Sequence, residues 1–357
     1  MSLPGLWGRD IAELLAPQGP PRQPMRGFDP DYADIVDYII RCTHRIWEQK
    51  DLGLIETHYS ADCPVWMLSG PAAGLRSVVD GTTRTLATFP DRTLIGEAVI
   101  WSGDDRSGYL SSHRILSTAT HQGAGEFGPP TGRRIAFRTV ADCLCRENRI
   151  VEEWLVRDNS HIALQLGLSP AAIAAAQAAH DRPDGAAPRW WAAEIERVRA
   201  SPSTGLPAAA MPAPEAAPSD FALWFADTIV AHRRLARVRD AYAPAAVLEA
   251  PGGRRLFGHG EIIGWWAALL GSIGGSRIVV DHVAAQPAGA DPADGVDIAM
   301  RWSLAGVHDG PALFGSSSGR AVLLLAVTHW RVVGGRIVRE WTVFDEIAVR
   351  RQTLAPA

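Results

Sequence analysis

The segment His113 to Asp158 recurs at Met300 to Asp345 with a constant offset of 187 and no gaps. Arg114, His121, Gly123, Phe127, Gly128, Gly132, Arg133, Val140, Arg149, Ile150, Val151, Glu153, Trp154, Val156 and Asp158 all have identical counterparts 187 positions on. The shared string Arg-Ile-Val-x-Glu-Trp-x-Val-x-Asp closes both copies. A repeat of this length in unbroken register means one domain written twice, so the fold has to be one that a chain of about half this size can complete. The length of 357 residues suits two domains of ordinary size. With 47% hydrophobic residues, each half can bury a core without disulfides or metals.

Residues 1–28 read as an arm, with a short helix from Trp7 to Leu15 stopped by Pro17, Pro20, Pro21 and Pro24. The first repeat spans 29–168. Ile35, Ile39, Cys42 and Ile46 predict a helix within Asp34 to Lys50, followed by a short helix at Leu52 to Tyr59, a strand near Val65 to Leu68 and a third helix at Gly74 to Phe89. From Thr93 the period changes to two, which predicts strands at Thr93 to Trp101, Gly108 to His121, Arg134 to Cys145 and Arg149 to Asp158. Helices first and a meander of antiparallel strands afterwards indicate an α+β domain with helices on one sheet face. Residues 169–218 form an Ala/Pro-rich linker with one short helix, in which Trp191, Ile195 and Val198 make a stripe fit to dock. The second repeat, 219–357, opens with Phe221 to Val238 and proceeds through Tyr242. A helix at Gly258 to Leu270 follows, then strands near Ile278 to Val283, Asp297 to Val307, Ala321 to Val333 and Arg336 to Asp345.

Charge and composition exclude several classes. A net charge of -4 and pI near 6.3 leave no footprint for nucleic acid. The one dense basic run, His232 through Arg239, reads as a solvated helix face. Cys42, Cys63, Cys143 and Cys145 form no C-x-x-C pair and read as buried free thiols of a reducing compartment. With neither a secretion signal nor an apolar run of about eighteen residues, the expectation is a cytoplasmic protein without a membrane span. No ligand spacing supports a metal, no glycine-rich stretch fits a phosphate loop, and no cofactor is expected.

Together these features resemble the SnoaL-like polyketide cyclase group of the nuclear transport factor 2-like superfamily. The residues that carry the resemblance are Phe89-Pro90-Asp91, Thr120-His121-Gln122-Gly123, Pro130-Thr131-Gly132-Arg133, the closing Arg149 to Asp158 and the trailing Leu166-Gly167-Leu168. The second repeat has Ser318-Gly319-Arg320 at the third of these places and lacks the Phe-Pro-Asp signal. The resemblance implies two tandem cone-shaped α+β barrels, each a curved sheet with three helices around an apolar pocket, forming a pseudo-dimer within one chain. It also implies a monomer with internal pseudo-twofold symmetry, or a homodimer. Because the superfamily holds cyclases, isomerases, dehydratases, hydrolases and binding modules, fold alone leaves function open.

In the family an aspartate ending the last strand is thought to act as general base, with a histidine on the neighbouring strand. That maps to Asp345 and His329 in repeat 2, and to Asp158 and Asp142 in repeat 1. A carboxylate at the mouth of an apolar pocket has its pKa raised by desolvation and can remove a proton α to a carbonyl. Strand alternation puts Ile150, Glu152, Trp154, Val156 and Asp158 on one face. Asp142 joins them if the hairpin has a three-residue loop with a bulge, and falls on the reverse face with a two-residue loop. Capping a turn or pairing with Arg138 or Arg157 is the competing role for Asp158. His113, His121, Tyr59, Trp47, Trp66, Trp154, Tyr242, His308 and Trp341 are candidate ligand contacts. For His121 and His308, beside Gly123 and Gly310, a strand-end turn is the competing role, and for the aromatics it is core packing. The expected function is cofactor-independent general-base chemistry of cyclase or isomerase type on a small apolar carbonyl compound. The alternatives are a hydrophobic-ligand-binding module without turnover, and a hydrolase or dehydratase using paired carboxylates.

Overall fold

The computed structural model describes residues 11–16, 19–202 and 210–354. The expected N-terminal helix is seen as α1 (Ile11–Leu15), and Trp7 to Asp10 lie outside the described residues. In the first repeat follow α2 (Ile35–Trp47), α3 (Leu54–His58), β1 (Pro64–Trp66), β2 (Ala72–Ala73) and α4 (Leu75–Thr88). The meander is β3 (Thr93–Asp104), β4 (Gly108–Thr120), β5 (Arg134–Arg146) and β6 (Arg149–Arg157). Asp34 sits in extended backbone before α2 and its carboxylate accepts the Asp37 N–H, so the helix starts where its cap dictates.

After α5 (Asn159–Gln165) the linker holds two helices rather than one, α6 (Pro170–Ala178) and α7 (Ala186–Ala200). Trp191, Ile195 and Val198 of α7 are buried, and the Trp191 indole N–H donates to the Leu68 carbonyl at 2.8 Å. The second repeat comprises α8 (Pro218–Phe225), a π-helical turn at Ala226–Ala231, and α9 (Val238–Ala241). It continues with β7 (Tyr242–Ala250), β8 (Arg254–Phe257), α10 (Gly258–Ser272), β9 (Ile273–Pro287), β10 (Val296–His308), β11 (Ala321–Val333), β12 (Arg336–Phe344) and α11 (Glu346–Leu354). The helical opening of this repeat breaks near His232, where Arg233 adopts a positive φ of 53°. The basic run crosses a turn and is not one helix face. Periodicity gave no warning of β7 and β8.

Both repeats build the same sheet. The strand orders β2-β1-β6-β5-β4-β3 and β8-β7-β12-β11-β10-β9 are identical in topology, and neither sheet closes on itself among the described strands. Contacts divide the chain into two compact units. One comprises residues up to Met67, Pro71–Arg157 and Ile162–Leu168, and the other Leu68–Gly70, Asp158–His161 and Ser169 onward. No described helix is long and apolar enough to cross a membrane.

The recurrent residues acquire physical reasons. Gly123 and Gly310 lie where the strand-end loop meets the helix end: an added Cβ would stand 2.0 Å from the Ala87 carbonyl oxygen in one copy and 1.8 Å from that of Gly271 in the other. Arg114 and Arg301 sit beside bulges whose extra residues are Glu97 and Asp281. Glu97 holds Arg114 at 3.1 Å and Arg138 at 2.7 Å.

Candidate active site

The hairpin between β5 and β6 sets which side chains meet. Its turn is the two-residue Glu147-Asn148 in left-handed backbone, with φ of 46° and 67°, and Gly334-Gly335 occupies the same place in repeat 2. A two-residue turn alone would have put Asp142 on the reverse face. The register instead shifts after Leu144, leaving Val151 unpaired, and this bulge brings Asp142 opposite Trp154. The same bulge moves Ile150 away from the face of Trp154. Ile150 pairs with Cys145, Glu153 pairs with Cys143, and both belong to the helix-covered face, correcting the unbroken alternation expected for this strand.

Each sheet thus has two distinct faces. In repeat 1 the helix-covered face carries Tyr109, Ser111, His113, Ile115 and Ser117 on β4, and Phe137, Thr139, Ala141, Cys143 and Cys145 on β5. Glu153 and Arg157 on β6 continue it. Asp142, Trp154, Glu152 and Trp66 occupy the opposite face, where the Trp66 indole donates to Glu152 at 2.8 Å. His329 and Trp341 pair in the equivalent place on β11 and β12.

The terminal aspartates are buried, at 6% exposure each, and both act as helix caps. Asp158 accepts from the Ser160 hydroxyl at 2.8 Å, the His161 N–H at 3.0 Å and the Gly252 N–H at 2.9 Å. Asp345 accepts the Ala348 N–H at 3.1 Å and the Asn159 amide at 2.5 Å. His121 and His308 close the strand-end turns: the ring Nδ1 atoms meet Thr131 Oγ1 at 3.2 Å and Ser318 Oγ at 3.0 Å. The backbone of each is bound to that of Arg133 or Arg320, and burial lowers both imidazole pKa values.

A different constellation stands on the helix-covered face of repeat 1. The Tyr59 hydroxyl donates to Glu153 Oε2 at 3.1 Å, and burial pushes the Glu153 carboxyl up from 4.5 to about 7 against the lowering effect of that bond. Cys42, Cys63 and Cys143 surround the pair as buried free thiols, the first two raised to about 12 by burial. His113 is buried with its Nε2 unpartnered, and burial beside Arg114 lowers its pKa to about 3, so the ring is neutral at physiological pH. Thr139, its diagonal neighbour on β5, has an unpartnered hydroxyl. Trp47 lies half-buried at the end of α2 with the Arg92 guanidinium 4.3 Å from its ring centroid.

Repeat 2 has the same Tyr–Glu pair in Tyr242 and Glu340, but there the carboxylate is saturated. It accepts from Tyr242, from the Trp330 indole at 3.0 Å and from the Thr342 hydroxyl at 2.6 Å. The positions of Trp330 and Thr342 are Cys143 and Leu155 in repeat 1, neither of which supplies such a donor. Trp302 and Trp330, both fully buried, replace Ile115 and Cys143, and Trp266 of α10 donates to the Tyr242 hydroxyl at 3.3 Å. Phe225 packs at 4.9 Å on Trp330 and at 5.5 Å on Trp266. Across from these, Ile262, Trp265, Leu269 and Leu270 of α10 are buried, whereas Leu75, Val78 and Val79 of α4 and Ala141 on the sheet in repeat 1 stay partly exposed.

Of the residues singled out in the sequence, the structure gathers Tyr59, His113 and Trp47 on one face of repeat 1, and Tyr242 on the corresponding face of repeat 2. Asp142, Trp154, Trp66, His329 and Trp341 stand on the reverse faces. Glu153, Thr139 and Arg92 were not singled out. The available signal was the joint recurrence of Tyr59 with Tyr242 and of Glu153 with Glu340.

No curated protein matches the chain in sequence. Among solved structures, AclR from Streptomyces galilaeus is similar at 24% identity over 36% of this chain and 92% of its own, with a TM-score of 0.32. IdmH from Streptomyces antibioticus is similar at 24% identity over 36% and 96%, with a TM-score of 0.31. A SnoaL-like polyketide cyclase from Agrobacterium tumefaciens is similar at 21% identity over 37% and 96%, with a TM-score of 0.31. The family model described as SnoaL-like polyketide cyclase matches twice, at residues 38–166 and 222–353, together most of the chain. With the same strand order in both copies, those two matches make this chain a member of the SnoaL-like polyketide cyclase family that carries the family's domain in tandem.

Proposed function

We propose that the first repeat is the working half, a cofactor-independent enzyme of cyclase or isomerase type, and that the second repeat is a filled, structural copy. The observation that carries this reading is the different state of one shared pair. Glu340 has all its donors supplied and its surroundings are filled with tryptophan, whereas Glu153 keeps Tyr59 alone on a face bearing small and unpartnered polar side chains. Buried polar groups are normally paired, so the orphaned His113 Nε2 and Thr139 hydroxyl point to a partner supplied from outside.

In the proposed reaction a small, largely apolar carbonyl compound enters under α4. Glu153 takes the proton α to the carbonyl, breaking the C–H bond, and the enolate oxygen accepts hydrogen bonds from the neutral His113 ring and Thr139. The enolate carbon then either attacks a second carbonyl of the same molecule, forming a C–C bond, or is reprotonated at another carbon. In both cases the proton returns from Glu153, so no oxidant or cofactor enters the balance. Binding without turnover is the rival reading, favoured by the presence of the Tyr–Glu pair in the filled repeat as well.

The pH profile separates the two. Only the ionised carboxyl is a base, and its other neighbours, Tyr59, Cys42, Cys63 and Cys143, are all raised by burial and neutral in the working range. Turnover of a methyl ketone, followed by exchange of its α-hydrogens for deuterium, is expected to rise with pH through a single ionisation near about 7 and then level. Glu340→Gln should leave that limb in place. A profile that is flat from pH 5 to 9, or exchange no faster than in buffer, contradicts the enzyme reading.

A further inference from the structure

Arg92 follows the Phe89-Pro90-Asp91 signal and turns inward. It is 5% exposed, both its Nε and Nη2 donate to the single Ser117 hydroxyl at 3.2 and 3.0 Å, and its guanidinium lies between the rings of Trp47 at 4.3 Å and Phe137 at 5.3 Å. No carboxylate is ion-paired with it among the described residues; Arg157 repels it, and the Lys50 ammonium, which donates to the Arg92 carbonyl at 3.3 Å, is a second cation beside it. Isolated buried charges are costly unless paired, and a guanidinium offers five N–H donors in a rigid fork, of which one hydroxyl engages few.

Its position relative to Glu153 is fixed by register. Ser117 pairs with Phe137, Thr139 with Arg157, and Cys143 with Glu153, all on one face. Phe137, level with the Ser117 that holds Arg92, and Cys143, level with Glu153, are six residues apart on β5, so the Arg92 end lies about 20 Å from the Glu153 end along the strand at ordinary strand rise. His113 and the Thr139 hydroxyl fall between. Trp47 holds the guanidinium in place by stacking on it.

Resting on the chamber reading above, we propose that Arg92 is an anion subsite, and that the ligand of repeat 1 is an elongated planar molecule bearing an oxyanion, a carboxylate or a stabilised enolate, at the Arg92 end. The guanidinium takes that oxygen in its free N–H groups, Thr139 lies beside it, and the rest of the ligand reaches towards Glu153. Arg92 thereby orients the substrate and selects it by charge. In repeat 2 the sheet position of Ser117 is Leu304, so the guanidinium's hydrogen-bond support is absent there.

The test compares 2-naphthoate with 2-acetylnaphthalene, which share shape and differ in charge, by calorimetric titration of the full chain. Naphthoate is expected to bind at least about tenfold more tightly, as a charge-assisted bidentate contact requires. Arg92→Met should erase the preference while leaving ketone affinity within about threefold, and Arg92→Lys, which keeps the charge without the planar fork, should retain part of it. Equal affinities in the unmodified chain, or a preference that survives Arg92→Met, overturn the subsite. If Arg92→Met does not fold, Arg92→Lys and the unmodified chain decide the matter between them. Ketone binding without anion preference overturns the subsite alone and leaves the chamber standing, whereas binding of neither probe removes both.

Discussion

Replacing Glu153 by Gln is expected to lower turnover by roughly 10²- to 10⁴-fold, the range spanned by a positioned general base, while ligand affinity stays within a few-fold. The amide keeps the shape of the carboxyl and can still accept from Tyr59, so a loss confined to turnover isolates the proton-transfer role. The same variant makes a second, independent claim about stability. The Glu153 carboxyl ionises near 4.5 in the unfolded chain and at about 7 in the folded one. Between those values the folded state holds a proton that the unfolded state has released. This contribution to stability is therefore fully present below about pH 4.5, falls as the pH rises through 7, and is gone above it. The amount lost is about 3 kcal/mol, and it is the cost of ionising a buried carboxyl. Glu153→Gln removes that dependence, so the variant should unfold at higher urea than the unmodified chain at pH 8 and at similar urea at pH 4.5. A variant less stable at both pH values would mean that the carboxylate is held by partners and is not poised.

The second large effect is expected in the filled copy. Trp330→Cys, which installs the residue found in repeat 1, removes an indole packed on Phe221 and Phe225 and one donor to Glu340. Large-to-small core changes of this kind cost about 3–5 kcal/mol, and a carboxylate deprived of one buried donor adds about 1–3 kcal/mol. Thermal or urea unfolding of repeat 2 should register most of that sum, since Tyr242 and Thr342 still hold the carboxyl. A cost below about 1 kcal/mol would mean that the tryptophan cluster is loosely packed.

Much of the architecture was legible because the chain contains its own alignment. The 187-residue offset located both meanders, and the period-two stretches marked the long strands to within a few residues. The strands β7 and β8 escaped because Tyr242 to Phe257 shows neither clean alternation nor a turn signal strong enough to mark a hairpin. The linker escaped in part because an alanine-rich run reads alike as tether or helix, and here it forms helices. The site was less legible for a reason of geometry. Alternation assigns residues to two faces but does not say which face the helices cover, and Trp154 stands on the face opposite to theirs. The unpaired Val151 then exchanged the partners of Ile150, a one-residue effect that no periodicity reveals. Asp158 and Asp345 recur because helices α5 and α11 begin beside them and need caps. The recurrence of Glu153 carried the chemical information, and it was visible in the same string.

The central claim is that one repeat is open and the other filled, and counting sites tests it most directly. Calorimetric titration of the full chain with 2-acetylnaphthalene should give one site per chain, and Cys143→Trp, which places in repeat 1 the side chain that fills repeat 2, should abolish it in a chain that remains folded by circular dichroism. Two equivalent sites, or a single site that persists in Cys143→Trp, would contradict the account.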